Sequence, residues 1–507
     1  MDKLIYKGAV YKAVPSTVRF LEHFYDIVVT ASLAEKEMER LFLKLLPGTK
    51  FENQAFAVGG YVRDEVMGLD SKDLDIVVGF PNGAEALSKF IASQFPGKTS
   101  TPRQMGSYPI WYITFKENVE YDGEMFKTKG GELDIADSQK EAFPDPESRQ
   151  RETAFGTIEE DVARRDFTVN MLMKNLSNGE LADFTGTSVQ DIKDGVLRGH
   201  PKVPLDRTFE DDPLRMLRLV RFMVKYGWKP AQEAVEAVER NAHRINIISS
   251  ERVRDELVKI MLVGKLAPAI RFMQATGLLK HILPEIEVMK GVEQSKEHHS
   301  EGDVFEHTMK VIENAKPTLH AQLAALLHDA GKPSTQKFIE HKIQFLGHDA
   351  VSGEIAEAVL RRLRFDNNLV KKVRFLVENH MRPTTARQWG PKAVRKFIRD
   401  IGDEIEDLLD LHDADSAGSL TPEGVPAKTT GPVLRKKIEE VQEIPVRTKP
   451  VLNGNEIMQT LGIKGGPEVG KAMKWLRDKT DDYAVEGKEL TPEEAKRLLR
   501  EEYSTEP

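Results

Sequence analysis

Phe56-Ala-Val-Gly59-Gly60-Tyr-Val-Arg63-Asp64, followed by Asp73-Leu74-Asp75-Ile-Val-Val, decides the fold of this 507-residue chain. A short apolar run, a glycine pair and an amphipathic start read as strand, turn and helix. Glycine lets backbone N–H groups approach an anion closely, and a helix N-terminus adds positive dipole. Taken alone, the pair is weak evidence and reads first as a plain strand-to-helix turn. Arg63 falls one turn into the helix, within reach of a phosphate. Asp73 and Asp75 open the next apolar run and alternate out of one strand face. Two like charges so placed are costly unless a cation neutralises them, and hard oxygen ligands suit Mg2+ with a substrate phosphate completing the shell. The plainer alternative is a solvated strand edge. Asp134, in the strand-like GELDIAD, is a third carboxylate able to join them.

Working outward, the runs Ala55–Val58, Leu74–Val78, Ile110–Phe115 and Leu133–Ile135 predict strands, with helices at about 61–67 and 84–95. On the N-terminal side, 16–46 predicts helix, with Val18, Leu21, Phe24, Ile27 and Val28 on one face. Leu33, Met38, Leu41, Phe42 and Leu45 continue it to Pro47-Gly48. From about Pro213 the pattern is helical, most clearly over 214–226, 232–242, 251–263, 266–276 and 304–315. Polar, breaker-rich seams fall at 136–156, 291–303 and 416–433, the first read as a mobile loop. The expectation is therefore an α+β head, a mixed sheet with helices, followed by an all-α remainder.

Composition bounds the chemistry. The length suggests about three domains. Hydrophobic residues at 40% and charged residues at 30% exclude global disorder. No apolar run approaches the roughly 18–20 residues that span a bilayer, and the N-terminus lacks a secretory layout. The absence of cysteine excludes disulfides, zinc fingers, iron–sulfur sites and thiol nucleophiles, leaving His, Asp and Glu as metal ligands. The net charge of −8 does not describe local patches.

GGYVRDEVMG followed by DLDIVV resembles the opening motif of class II tRNA nucleotidyltransferases and bacterial poly(A) polymerases, in the polymerase β superfamily. Further motifs follow in that family's order. Asp161-Val-Ala-Arg164-Arg165-Asp166-Phe-Thr-Val-Asn170 resembles its RRDFTxN element. Asp183-Phe-Thr-Gly186 with Asp191–Arg198 resembles DxxGG…DLxxGxxR, and Asp211-Asp212-Pro-Leu-Arg215-Met-Leu-Arg218-Leu-Val-Arg221-Phe resembles EDPLRMLRAVRF, with Asp211 where Glu is common. Ile248-Ser-Ser-Glu251-Arg252 resembles the start of ISxERxxxEL. Alone, Arg215, Arg218 and Arg221 would be a charged solvent face, although their spacing stacks them in one ridge. The resemblance implies Mg2+ on Asp73 and Asp75, with Asp134 beside them as a catalytic carboxylate. It implies that Asp212 and Arg215 read the base of CTP or ATP, and that Arg165, Arg218 and Arg221 hold the phosphates. Gly59, Gly60, Arg63, Asp166 and Asn170 complete the expected substrate site. The implied activity is addition of CCA to tRNA 3′ ends with release of pyrophosphate.

A second motif lies in 304–333, where His307 precedes LLHDAGKP with His328-Asp329. Histidine and carboxylate together suit transition metals, although a lone His on an apolar helix is usually packed or capping. LLHDAGKP resembles the signature of HD-superfamily phosphohydrolases. That resemblance implies Asp415, with Asp413 competing, as the last ligand and Ni2+ or Mn2+ as the metal. His348 and His380 are further candidates for ligands or phosphate contacts. The pairing of the two modules resembles CCA enzymes that carry phosphatase or 2′,3′-cyclic phosphodiesterase activity.

The expected organisation is an N-terminal helical extension (1–50), a nucleotidyltransferase head (51–200), a helical neck (201–290), an HD domain (291–420) and a helical, tRNA-binding tail (421–507). Residues 361–399 hold twelve Lys or Arg against Asp366 and Glu378, read as phosphate contacts along tRNA. Rival readings are a poly(A) polymerase, a partial CC- or A-adding enzyme, and an HD nucleotide phosphohydrolase whose front half binds RNA. The loop at 137–156 favours complete CCA addition, although Asp137-Ser138-Gln139 lacks an Arg common there. The expected setting is cytoplasmic, without a membrane partner, as monomer or dimer.

Overall fold

The apolar runs bounded by turn residues become strands close to where their sequence places them. In the computed structural model, which describes residues 3–6, 9–12, 33–71, 73–106, 109–142, 152–295, 299–340, 342–446 and 451–503, the head is built on a seven-stranded mixed sheet. Its strands are β1 (Ala55–Val58), β2 (Leu74–Val78), β3 (Arg103–Gln104), β4 (Ile110–Thr114), β5 (Glu132–Asp137), β6 (Met173–Asn175) and β7 (Leu181–Ala182), in the order β7-β6-β1-β2-β5-β4-β3. All neighbours are antiparallel except β2 and β5, which run parallel with Leu74 opposite Leu133 and Asp75 opposite Asp134. Leu74, Ile76, Val78, Leu133 and Ile135 are buried, whereas Asp75, Glu132 and Asp134 stand exposed, the alternation of a sheet with one packed face.

Helices α1 (Gly60–Val66) and α2 (Gly83–Gln94) follow β1 and β2. Asp137 caps α2, since its carboxylate accepts from the Asn82 and Ala84 N–H groups at 2.9 and 2.7 Å. That job explains an acid at this position. The expected loop at 137–156 is partly a ribbon, because Gln139–Ala142 pairs antiparallel with Glu152–Phe155. Its middle lies outside the described residues.

The helical face of Val18, Leu21, Phe24, Ile27 and Val28 also lies outside the described residues. A helix over 33–45 buries Met38, Leu41, Phe42 and Leu45 and leaves Leu33 exposed. Its Glu39 accepts from Tyr61 at 2.6 Å and pairs with Lys174. Arg40 and Lys44 pair with Glu124 on a small ribbon, Val119–Tyr121 against Glu124–Phe126, that links β4 to β5.

Beyond the head the described residues are helical apart from two- and three-residue strands. The chain divides into two compact units, residues 1–252 with 275–281, and residues 253–274 with 282–507. In the first, α3 (Ile158–Ala163) and α4 (Leu214–Tyr226) matter for the site; α5 (Ser250–Leu262) starts at its end. In the second, α6 (Val304–Asn314), α7 (Leu319–Leu327), α8 (His348–Arg362), α9 (Asn367–Asn379), α10 (Pro391–Ile401), α11 (Ile405–Gly418) and α12 (Pro467–Val485) carry the rest. Among the described residues, no helix is long and apolar enough to cross a membrane.

Part of the basic stretch 361–399 is paired with acids outside it. Arg361 and Arg374 pair with Glu357, and Arg362 with Glu285. Lys372 pairs with Glu404 and Asp407, Arg382 with Asp400, and Arg395 and Arg399 with Asp481 and Asp482. Seven of its twelve basic residues thus share their charge with acids outside the stretch, while Arg361, Arg362, Arg364, Lys371, Arg387 and Lys396 are exposed.

Candidate functional sites

Gly59 ends β1 at φ 69°, a left-handed conformation that a side chain would strain, and α1 begins at Gly60. Arg63, one turn later, is 6% exposed. It donates to Asn170 Oδ1 at 2.7 Å and Asp64 Oδ1 at 2.8 Å, and lies 4.9 Å from the Tyr226 ring centroid and 5.5 Å from that of Phe222. Arg63 also lines the cavity it shares with Gly59, Gly60, Asp73 and Asp75. Arg63 is a strut whose positive charge is already satisfied by Asp64 and two aromatic faces.

Parallel pairing of β2 with β5 sets Asp75 and Asp134 side by side, with Asp73 at the foot of β2. Asp75 touches solvent, but the walls of the cleft strip away much of its hydration. That desolvation, then the charges of Asp134 and Asp73, push its carboxyl up to about 6 against the opposing pull of Arg165. Asp134 is also raised, by desolvation and by Glu132 and Asp73. Hard oxygen donors that repel one another in this way fit a divalent cation, which relieves the repulsion.

Opposite the acids stands a wall of arginines. Helix α4 buries Leu214, Leu217, Val220 and Val224 and turns Arg215, Arg218 and Arg221 into a 600 Å3 cavity, shared with Gly59, Gly60, Asp73, Asp75, Arg165 and Asp212. Arg218 forks onto Asp166 Oδ2 at 2.7 and 2.8 Å, while Asn170 donates to Asp166 Oδ1 at 2.9 Å. Burial favours the neutral form of Asp166, but Arg218, Asn170 and Arg215 outweigh it and lower the carboxyl to about 2. Arg63, Asn170, Asp166 and Arg218 thus form one continuous chain along the cavity wall.

Arg215 and Asp212 line the same cavity. Arg215 donates to the Thr208 and Arg164 carbonyls at 3.2 and 2.7 Å. Asp212 Oδ2 accepts from Arg252 at 2.8 Å, and its Oδ1 accepts from the Leu214 N–H at 3.3 Å. Arg252, from the first turn of α5, was absent from the predicted site, as was Asp161. The fully buried Asp161 receives Arg164 at 2.7 Å and Arg165 at 2.8 Å. An acid with arginines three and four positions on is the helical pairing pattern that would have found Asp161. Arg252 stands in the stretch resembling ISxERxxxEL, but its pairing has no local signature, since its partner lies forty residues away.

In the second unit, helix ends bring six side chains together. His307 comes from α6, His328 and Asp329 follow α7, His348 opens α8, His380 follows α9, and Asp415 lies on α11. His307 Nε2 is 3.0 Å from Asp415 Oδ1 and 3.5 Å from Asp329 Oδ2; His328 Nε2 is 3.2 Å from Asp329 Oδ2 and 3.4 Å from His307 Nε2. Asp413 is elsewhere, paired with Arg435 at 2.6 Å. Of the two competing aspartates, Asp415 is the one brought to the cluster.

The far ring nitrogens are also committed. His307 Nδ1 meets the buried Glu301 at 2.9 Å, and Glu301 also meets His299 at 2.8 Å. Glu301 was another residue missed, because a loop acid ahead of a helix has many ordinary uses. Asp329 is held well below the usual carboxylate range: burial opposes ionisation, but His328 and Lys332 outweigh it. Imidazoles oriented through one nitrogen, with the other aimed at two carboxylates, suit a metal ion.

Residues 55–198 match the family model described as poly A polymerase head domain, 227–290 the probable RNA and SrmB-binding site of polymerase A, and 304–416 the HD domain. The CC-adding tRNA nucleotidyltransferase of Thermus thermophilus is 31% identical over 460 residues, 88% of this chain and 93% of that protein. The A-adding tRNA nucleotidyltransferase of Deinococcus radiodurans is 29% identical, covering 91% and 98%. Among solved structures, the Bacillus stearothermophilus CCA-adding enzyme in complex with CTP shares the fold with TM-score 0.59 and 20% identity, over 94% of this chain and 98% of that one.

Proposed function

Since the chain belongs to the tRNA nucleotidyltransferase and poly(A) polymerase family, we propose that it completes tRNA 3′ ends, adding two C and one A from CTP and ATP and releasing pyrophosphate. The observation that carries this reading is the pair Asp73 and Asp75 in a cavity walled by arginines, with Asp134 opposite Asp75 on the neighbouring strand. Asp73 and Asp75 would hold Mg2+, which when bound supplies positive charge beside the reacting phosphate.

The remaining roles belong to side chains. Asp212 offers an acceptor and Arg215 a planar donor fork, the complementary pair needed to tell base edges apart. Arg165, Arg218 and Arg221 supply positive charge for a triphosphate. The buried chain from Arg63 to Arg218 keeps that wall from moving, and such positioning is most of what phosphoryl-type transfer asks of a protein. Lys371, Lys396 and Arg387 remain exposed on the second unit as contacts for tRNA phosphates.

The histidine cluster carries a second proposed activity, hydrolysis of phosphomonoesters or 2′,3′-cyclic phosphates. His307, His328, Asp329 and Asp415 would hold a transition metal such as Ni2+ or Mn2+. Lys332, 2.7 Å from Asp329 Oδ2, would meet the substrate's negative charge.

Transcripts lacking CCA, CA or A, each incubated with single and mixed nucleotides, test the first reading. Growth that stops after the third nucleotide supports it. A stop after two C, addition of A alone, or an open A ladder would replace it with the corresponding partial or poly(A) activity. Loss of incorporation by more than about a hundredfold in Asp75→Ala is expected.

A further inference from the structure

We propose that Tyr112 and Arg103 form a platform for the 3′-terminal nucleotide of the RNA, holding its free hydroxyl beside Asp134. This rests on the reading of the front acids as the nucleotidyl-transfer centre, and names the residues that carry the second substrate.

Strand register lines up one row of side chains across the sheet. Asp75 on β2 is opposite Asp134 on β5, Asp134 is opposite Tyr112 on β4, and Tyr112 is opposite Arg103 on β3. Directly opposed residues point from the same face, so two acids, a ring and a guanidinium share one surface. None of the four is buried, and Ile110, Thr114 and Ala136 beside them are only half-buried. With strands about 4.8 Å apart, Arg103 stands two spacings from Asp134, about 10 Å, which is the scale of one nucleotide.

The arginine wall decides the side from which the RNA arrives. Asp73 and Asp75 line a cavity with Arg165, Arg218 and Arg221, where the triphosphate and the departing pyrophosphate are held. Attacking and leaving oxygens lie roughly in line across the phosphorus, so the hydroxyl enters from the flank of Asp75 away from that wall. Within the sheet, Asp75 has Val58 on one side and Asp134 on the other. Val58 is 3% exposed and packed in the core, so only the Asp134 side leads onto open surface.

The outer end of the row is built to hold a nucleotide. The Arg103 guanidinium lies 5.0 Å from the centroid of the Tyr112 ring. The Tyr112 hydroxyl is engaged by Thr114 and Glu132, which fixes the ring at its far end. A fixed ring with a cation laid over it offers an unpaired base a stacking surface and offers its phosphate a counter-charge. Glu132 shares this face but stands opposite Thr114, in the next row. Its charge repels phosphate and turns the RNA backbone toward Arg103.

The test measures steady-state incorporation by the full chain, with a minihelix transcript ending just before CCA and with CTP. Tyr112→Ala and Arg103→Ala should each raise KM for the transcript by about tenfold and leave KM for CTP within about twofold. Tyr112→Phe should stay near wild type, and Arg103→Lys should recover part of the loss. A second measurement needs no substitution: a transcript with 4-thiouridine at its 3′ end, irradiated on the unaltered protein, should crosslink to the peptide spanning β3 and β4. Variants that leave the transcript's KM unchanged, or that raise the KM of CTP equally, overturn the platform, as does a crosslink confined to another segment. A wild-type chain that adds no nucleotide to the transcript defeats the underlying reading as well.

Discussion

Burial alone would make Asp166 a poor place for a charge, yet it is held ionised by the fork of Arg218 and the amide of Asn170. Its folded pKa, about 2, lies below the unfolded value of 3.8, so its contribution to stability is complete above 3.8 and lost as pH falls toward 2. Chemical denaturation at pH 7 and pH 2.5 should show wild type losing about 2 kcal/mol more than Asp166→Asn on acidification. Arg252 invites a kinetic test. If it orients Asp212, Arg252→Ala should lower kcat/KM for CTP and ATP by about tenfold, roughly 1.4 kcal/mol. Arg252→Lys should restore part of that, and the ratio of correct to incorrect nucleotide should fall with the alanine variant. An unchanged ratio would reduce Arg252 to a helix contact.

Helices and strands were legible wherever one apolar period ran undisturbed. The β2 run and the α4 ridge need only local sequence, because side-chain direction follows from the period. Partners were not legible. Nothing near Asp75 announces that Asp134 will stand beside it, since strand register is a long-range choice. The pairing within the basic run at 361–399 was hidden for the same reason: its counter-charges, Glu285, Glu404 and Asp481 among them, come from distant elements. Arg395 on α10 and Asp481 on α12 are each about 4% exposed, and Arg395 also donates to the Ile444 carbonyl at 2.6 Å. Removing one member strands the other's charge, so Asp481→Ala should destabilise this unit by about 3–5 kcal/mol, read by thermal unfolding and by earlier proteolysis of the tail. A variant as stable as wild type would show that the pair is superficial.

At the scale of the whole chain, two chemically different clusters occupy two compact units, one of oxygen donors and one of imidazoles and carboxylates. Their losses should be separable. His328→Ala is expected to abolish opening of a 2′,3′-cyclic phosphate to its monoester, and release of phosphate from a monoester, while nucleotide incorporation stays within about twofold, and Asp75→Ala should do the reverse. If either substitution silenced both assays in a folded protein, the two units would not be independent.

The acid pair sits on neighbouring strands, but the chain between them wanders out into the Val119–Phe126 ribbon before it returns. At that ribbon's tip, Asp122 and Gly123 take φ 51° and 72°, a tight reversal that places the connection on the surface. The spacing of Asp75 and Asp134 is set by sheet hydrogen bonds, not by the length of this detour. The tip is therefore a natural port for grafts. A peptide tag or a fluorophore attachment site inserted between Asp122 and Gly123 should report on the head while leaving the catalytic register as it is.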